Sequence, residues 1–480
     1  MKRFLSLGNK IIPNDKKESW VLMKTLQVDQ VLPVLQGTVV SGNPHQLIKH
    51  VVSHPRHQIK KHSLIFFDPK KHFTLPKDLS TCTLVSSHAS VLKYMGKGVT
   101  LIKVGAVMKA YWAFIKYYRS QFTIPVIGVT GTSGKTTTKE MIASMLGDKK
   151  VVKTLLSHNA LERNLHYLVQ FDEDTDAAVM EMGVAGPNQL WHSARHFRPT
   201  IGIITKISTD HMEDFKSQDA YFKEKIQMLN AVGEHGTIIL NTDDEYSQRI
   251  PLKQFKGRIL FFGKSTNAHF RAGEIDFNHE RHGMDFILFY GKRKFTCFVP
   301  GYGTHNVYNA LAAFAAVTEA GVPIETAIER LNDFRHVRSH LEFHKGIRNC
   351  LVIDDTWNTN TTSIEAALEV LRETSNGKRT VAVLGNVAEM GEHTLIEHQK
   401  IGELVVANQT NVLITVGKDA NQIGEKAAEL GMNESHIHHA RSKKELMKLL
   451  IRHATEDSII LMKTSMRSSY KDVMKQLLNH

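Results

Sequence analysis

Between residues 128 and 137 the chain reads Gly128-Val-Thr-Gly131-Thr132-Ser133-Gly134-Lys135-Thr136-Thr137. Glycines at this density let a backbone turn its N–H groups onto phosphate oxygens. A lysine then neutralises phosphate charge, and the hydroxyl after it can hold magnesium. The run departs from the generic phosphate-loop pattern, because Val129 stands where the first glycine belongs. Its setting supports the phosphate reading: Val126-Ile127-Gly128-Val129 is a short apolar strand pattern, and a helix is predicted from Lys135 to about Leu146.

Other residues could complete such a site. Glu181 ends the strand pattern Ala177 to Met180, so its carboxylate emerges at the sheet edge where the loop lies, in a position to bind metal. Taken alone, an acidic residue there is more often a solvated loop residue or a helix N-cap. Asp210-His211 follows a strand pattern ending near Thr205 and adds a carboxylate and an imidazole at the same edge. Among 27 histidines, His211 stands out by this company. Lys225 lies 14 residues further on, in a helical stretch from Ala220 to Leu229, where residue type alone reads as an exposed helix lysine.

The elements that must position these groups fall into three blocks. From Leu22 to about Val104, short apolar runs such as Ser63 to Phe67 alternate with polar breaks, as in a small α/β domain. Val107, Ala110, Tyr111, Phe114 and Tyr117 then recur at helical spacing and read as the packed face of a helix. Thr123-Ile124-Pro125 makes a stiff boundary. The second block carries strands at Val126–Val129, 177–180, 201–205 and 237–240, with helices or loops between them, which predicts a largely parallel sheet. It closes with a helix from Asn306 to Ala320, stopped by Gly321, and ends near Arg335. The third block has short buried-type strands at 352–354, 381–384, 412–416 and 459–461, a Rossmann-like pattern.

At 480 residues the chain is too long for one core, and its 42% hydrophobic and 23% charged residues are those of a folded protein. The apolar run after Lys2 and Arg3 is too short for a signal peptide, and no uncharged run of about 18 apolar residues offers a membrane span. Cys82, Cys297 and Cys350 are scattered, as expected where thiols stay reduced, so a cytoplasmic protein is expected. The net charge of +13 is spread in short runs such as Lys60-Lys61 and Lys70-Lys71 without interleaved aromatics, which argues against a nucleic-acid partner. Phosphate-bearing small substrates suit the sign equally well.

Taken with Asn241-Thr-Asp243-Asp244 and His305-Asn306-Val-Tyr-Asn309-Ala, this set resembles the Mur ligase family over most of the chain. It looks closest to the MurF type, as do Asp354-Asp355-Thr-Trp-Asn358-Thr-Asn360 and Leu384-Gly385-Asn386 continuing to Glu389-Met-Gly391-Glu. The resemblance implies an α/β protein of three domains. These are an N-terminal acceptor-binding domain (1–122), a central P-loop ATPase domain with a mainly parallel sheet (123–340), and a Rossmann-like amine-substrate domain (341–480). It implies an ATP- and Mg2+-dependent ligase that joins a small-molecule carboxylate, such as a UDP-muramoyl peptide, to an amino acid or dipeptide through an acyl-phosphate.

By the same resemblance, Gly131, Thr132, Ser133, Gly134, Lys135, Thr136 and Thr137 cradle the phosphates. Thr136, Glu181, His211 and Lys225 hold metal, the last as a carbamate, while Lys135, Glu181, His211 and Lys225 carry catalysis. Asn241, His305, Asn306, Asn309 and Asp354 contact the nucleotide.

Departures from the family pattern keep two alternatives open: a paralogue with another acceptor, or a nucleotide-binding regulator without turnover. His340 stands where an arginine is usual, with Arg338 nearby. Trp357 and Thr361 replace a tyrosine and a proline, and Lys463-Thr-Ser-Met466 replaces a Lys-Gly-Ser-Arg loop. In the first block His54-Pro-Arg56 and Ser63-Leu-Ile-Phe66 are similar to the start of a uridine-nucleotide domain, but His54 replaces an acidic residue.

Overall fold

The structure is a computed structural model, and it describes residues 23–55, 57–69, 74–155, 166–335, 340–465 and 470–478. Lys2 to Leu7, Arg56, Lys70, Lys71, Arg338 and Met466 lie outside the described residues. The chain divides into two compact units. The first runs to Phe122 and takes back Leu168–Asp174, and the second holds the rest.

In the first unit a five-stranded sheet runs in the order Thr38–Ser41, Thr100–Lys103, Thr83–Ser86, Ser63–Phe66, His50–Val52. Only the first pair is antiparallel. Helix Val107–Ser120 buries Val107, Ala110, Tyr111, Phe114, Ile115 and Tyr118. Tyr118 rather than Tyr117 thus completes the packed face, since position 118 keeps the four-residue step from Phe114. The Tyr118 hydroxyl donates to the Phe171 carbonyl, which ties Leu168–Asp174 to this unit.

The second unit contains two sheets. The larger has nine strands, in the order Arg293–Pro300, Gly283–Tyr290, Phe270–Asn278, Arg258–Gly263, Thr237–Asn241, Ile201–Ile204, Val126–Thr130, Ala177–Glu181, Val151–Lys153. From Val151–Lys153 to Phe270–Asn278 every pairing is parallel, and the last two strands close as an antiparallel meander. Strands buried on both faces need continuous apolar runs, and Val126–Thr130, Ala177–Glu181 and Ile201–Ile204 are buried at every position. The sheet core is covered by helix Lys135–Leu146 and by helix Thr304–Glu319, whose residues Ala310 to Val317 are all fully buried. A helix apolar all round belongs inside, which explains the run of alanines.

The smaller sheet has six strands, Glu342–Lys345, Leu351–Asp355, Ser458–Lys463, Arg379–Gly385, Val412–Val416 and Ile437–Ala440. All are parallel except the first pair. Ligands of such open sheets bind at the carboxyl ends of the strands, and the two sheets of this unit bring those ends toward one another through the contacts described next.

Candidate nucleotide and metal site

Gly131 and Gly134 take φ of +141° and +83°, a backbone region that costs other residues strain. Space is equally tight: a Cβ at Gly131 would sit 2.0 Å from Thr205 Oγ1, and one at Gly134 2.4 Å from Asn309 Oδ1. The Thr132 N–H donates to the Lys206 carbonyl at 2.6 Å, and Thr205 Oγ1 donates to the Ser133 carbonyl at 2.6 Å. Together these bonds pin the loop against the end of strand Ile201–Ile204, with helix Lys135–Leu146 starting directly after it. The arrangement is that of a phosphate cradle at a helix N-terminus. Lys135 Nζ folds back onto the Thr132 carbonyl at 2.7 Å.

Thr136 Oγ1 donates to Glu181 Oε2 at 2.8 Å, with Glu181 only 1% exposed. A hydroxyl and a carboxylate side by side are the hard oxygen donors that magnesium prefers, so this pair fits a divalent ion. Lys225 is also only 1% exposed, which removes the exposed-lysine reading. The helix predicted from Ala220 to Leu229 is broken at Ile226 into Gln218–Lys225 and Gln227–Val232, which leaves Lys225 at the end of the first piece. Its Nζ donates to the Gly131 carbonyl at 2.9 Å and lies 4.9 Å from the Tyr221 ring. Burial pushes the Lys225 amine well below the usual lysine range, and the neighbouring Lys135 pushes the same way, against Asp210, Glu224 and Glu181.

His211 takes a left-handed backbone, φ +55°, and its Nδ1 stands 2.6 Å from a carboxylate oxygen of Glu389. Its Nε2 is 3.9 Å from Asp210, and its ring centroid is 6.4 Å from that of Tyr221, whose hydroxyl is 3.2 Å from Thr132 Oγ1. Thr132, Lys135, Thr136, Glu181, Lys225 and, one ring away, His211 therefore surround one loop.

The residues expected to contact the nucleotide make the following contacts. Asn309 accepts from Thr138 Oγ1 at 3.3 Å and supports the loop from behind. Asn241 bonds the Thr205 carbonyl and the Asp243 N–H, shaping its own turn, and Asn306 bonds the Tyr302 carbonyl. His305 lies against Gly303, where a Cβ would meet its ring at 2.4 Å. Asp354 sits on the smaller sheet, where it accepts from the N–H and hydroxyl of Thr356. Among the described residues, Asp354 with Glu342 and His344 forms the one group of three metal-capable side chains whose donor atoms lie within 4.8 Å.

The smaller sheet reaches the loop through other residues. Ser133 Oγ donates to Asn360 Oδ1 at 3.4 Å, and Asn360 also caps helix Thr361–Glu373. Thr362 Oγ1 donates to Ser208 Oγ at 2.9 Å. Asn360 and Glu389 fall within the motifs Asp354–Asn360 and Leu384–Glu392 noted in the sequence, so a signal for them existed. Tyr221, Ser208 and Thr205 carry none. Lys463 is 2% exposed and paired with Asp355 at 2.8 Å, and His340 lies 5.5 Å, ring to ring, from Trp357.

Fold and site together define an α/β phosphate-loop enzyme, with the loop in the large sheet and a Rossmann-like module in the same unit. Residues 129–317 match the Mur ligase middle domain, and residues 341–466 match the Mur ligase glutamate ligase domain. A UDP-N-acetylmuramoyl-tripeptide–D-alanyl-D-alanine ligase of Synechocystis is 30% identical over 361 residues, covering 73% of this chain and 74% of the relative. That of Bacillus subtilis is 25% identical over 458 residues, 94% of this chain and 98% of the relative. MurF from Acinetobacter baumannii shares the fold with a TM-score of 0.80 at 22% identity, covering 95% of this chain and all of that one (100%). The chain belongs to the Mur ligase family.

Proposed function

We propose that this enzyme couples ATP hydrolysis to amide-bond formation, joining D-alanyl-D-alanine to the terminal carboxylate of a UDP-muramoyl tripeptide in the cytoplasm. Likeness to the Synechocystis and Bacillus relatives supports the substrates. The single observation that carries the chemistry is the convergence of Lys135, Thr136, Glu181 and Lys225 on one glycine loop.

A carboxylate is a poor electrophile. Transfer of the γ-phosphoryl group of ATP to it creates an acyl-phosphate with a good leaving group, which the amine then attacks. Both steps gather negative charge on oxygen, where a preorganised cation and N–H groups stabilise the transition state most. Gly131 to Thr137 cradle the phosphates and Lys135 neutralises them. Thr136, Glu181 and His211 are the side chains that would hold magnesium, which supplies charge stabilisation when bound. Lys225 is buried among them, and that burial favours the uncharged amine, the form that adds CO2; the resulting carbamate would offer metal an anionic oxygen in place of a cation. Asn241, His305, Asn306, Asn309 and Asp354 form the nucleotide's outer contacts. The domains 1–122, 123–340 and 341–480 bind acceptor, ATP and amine respectively.

Phosphate release with ATP, Mg2+, a UDP-muramoyl tripeptide and D-alanyl-D-alanine is the test, scored with the product mass. Release that requires both substrates is expected, with Lys225→Ala lowering it at least 100-fold, the order of loss of a key charge-stabilising group. Absence of release across a panel of UDP-muramoyl peptides, together with release for another carboxylate, would reassign the acceptor. The replacement of the usual C-terminal loop by Lys463-Thr-Ser favours including other amines in the panel.

A further inference from the structure

Glu389 has no part in the chemistry so far. It follows strand Arg379–Gly385 of the smaller sheet, yet its carboxylate reaches His211 of the larger one at 2.6 Å. Both residues hold left-handed backbones, φ +65° and +55°, conformations that cost non-glycine residues energy and persist where surroundings enforce them. The surroundings here do so. The Glu213 N–H donates to the Glu389 carbonyl at 3.1 Å, and the N–H groups of Asp214 and Phe215 donate to the His211 carbonyl at 3.0 and 3.2 Å. Further back, fully buried His398 accepts from the Val387 N–H at 3.2 Å, with its other nitrogen 2.7 Å from the Thr394 carbonyl. Both segments, at His211 and at Glu389, are thus held by hydrogen bonds of their own.

We propose that Glu389 is a positioning residue for His211. Its carboxylate lies 2.6 Å from Nδ1, an ion-pair approach whose angle falls short of a hydrogen bond in this structure; a small turn of the ring lets Nδ1–H donate to it and leaves Nε2 the lone pair offered to metal, so that the smaller sheet completes a metal site that the larger sheet only begins. A histidine ligand whose other ring nitrogen is held by a carboxylate is fixed in tautomer and orientation. The inference rests on the proposed role of His211 as a metal ligand. It adds that the nucleotide-side sheet alone binds metal weakly.

The test uses the full chain with a nonhydrolysable ATP analogue and Mn2+ as probe, followed by electron paramagnetic resonance. Glu389→Ala is expected to weaken Mn2+ binding by about 10- to 100-fold, the usual effect of losing such a partner. Glu389→Gln, which keeps an acceptor but loses the charge, is expected to fall between it and the wild type. Nucleotide affinity without metal and the thermal melt should stay unchanged, and in turnover the Mg2+ requirement should rise while kcat at saturating Mg2+ is retained. Wild-type Mn2+ affinity in Glu389→Ala, with His211→Ala weakened, overturns the positioning role and leaves the metal reading standing. Wild-type affinity in His211→Ala as well overturns both.

Discussion

At the scale of single residues, the phosphate loop is a problem of space. Gly131 has no room for a side chain, because Thr205 Oγ1 occupies the place of its Cβ while bonding the Ser133 carbonyl. Gly131→Ala should therefore cost about 1–3 kcal/mol in urea unfolding and lower ligation more than tenfold, since it strains the backbone and displaces Thr205. Lys225 shows why residue type alone misleads. Its spacing after His211 was visible in the sequence, but its burial depends on Gly131, Tyr221 and Lys135, which only the fold brings around it.

Among the elements, strands of the parallel core were the most legible, because burial on both faces demands runs of Val and Ile that stand out in the text. The helix beginning at Lys135 starts and ends as its pattern predicts. The antiparallel meander from Phe270 to Pro300 leaves little trace in the sequence, since Glu274, Asp276, Arg293 and Lys294 break up its apolar runs. Glu389 was legible only as a member of a motif, since its partner lies on another sheet.

One element carries a testable pH response. His453 ends helix Lys443–His453, and its Nε2 faces that of His438 on strand Ile437–Ala440 at 3.2 Å. Burial, helped by His438, Arg379, Arg452 and His436, lowers the His453 pKa to about 4 from 6.5. The folded ring stays neutral where the unfolded one is protonated, so the unfolded state binds the extra proton. Stability is lost as pH falls from about 6.5 toward about 4. His453→Gln should flatten that decline by about 1 kcal/mol in urea midpoints taken across the window.

At the scale of the whole molecule, the second unit joins its two sheets by an apolar contact, Tyr302 and Phe277 packed against the core of the smaller sheet, and, at the strand ends, by polar contacts such as Ser133 to Asn360, Ser208 to Thr362 and His211 to Glu389. Such contacts are individually weak, so ligands bound between the sheets' carboxyl ends should add to their hold. Stripping magnesium with a chelator while the ATP analogue remains is expected to raise hydrogen exchange in residues 386–391 and 356–362. Exchange in the core strand Val126–Thr130 should stay unchanged.

The nine-stranded sheet ends in the strand Arg293–Pro300, whose outer rim has ladder groups without a further strand among the described residues. Exposed Lys292, Arg293 and Lys294 stand at its start and Pro300, which lacks an N–H, at its end. A second copy docking edge to edge would align like charges and meet a missing donor, so self-association into growing sheets is discouraged by the primary structure of the rim itself.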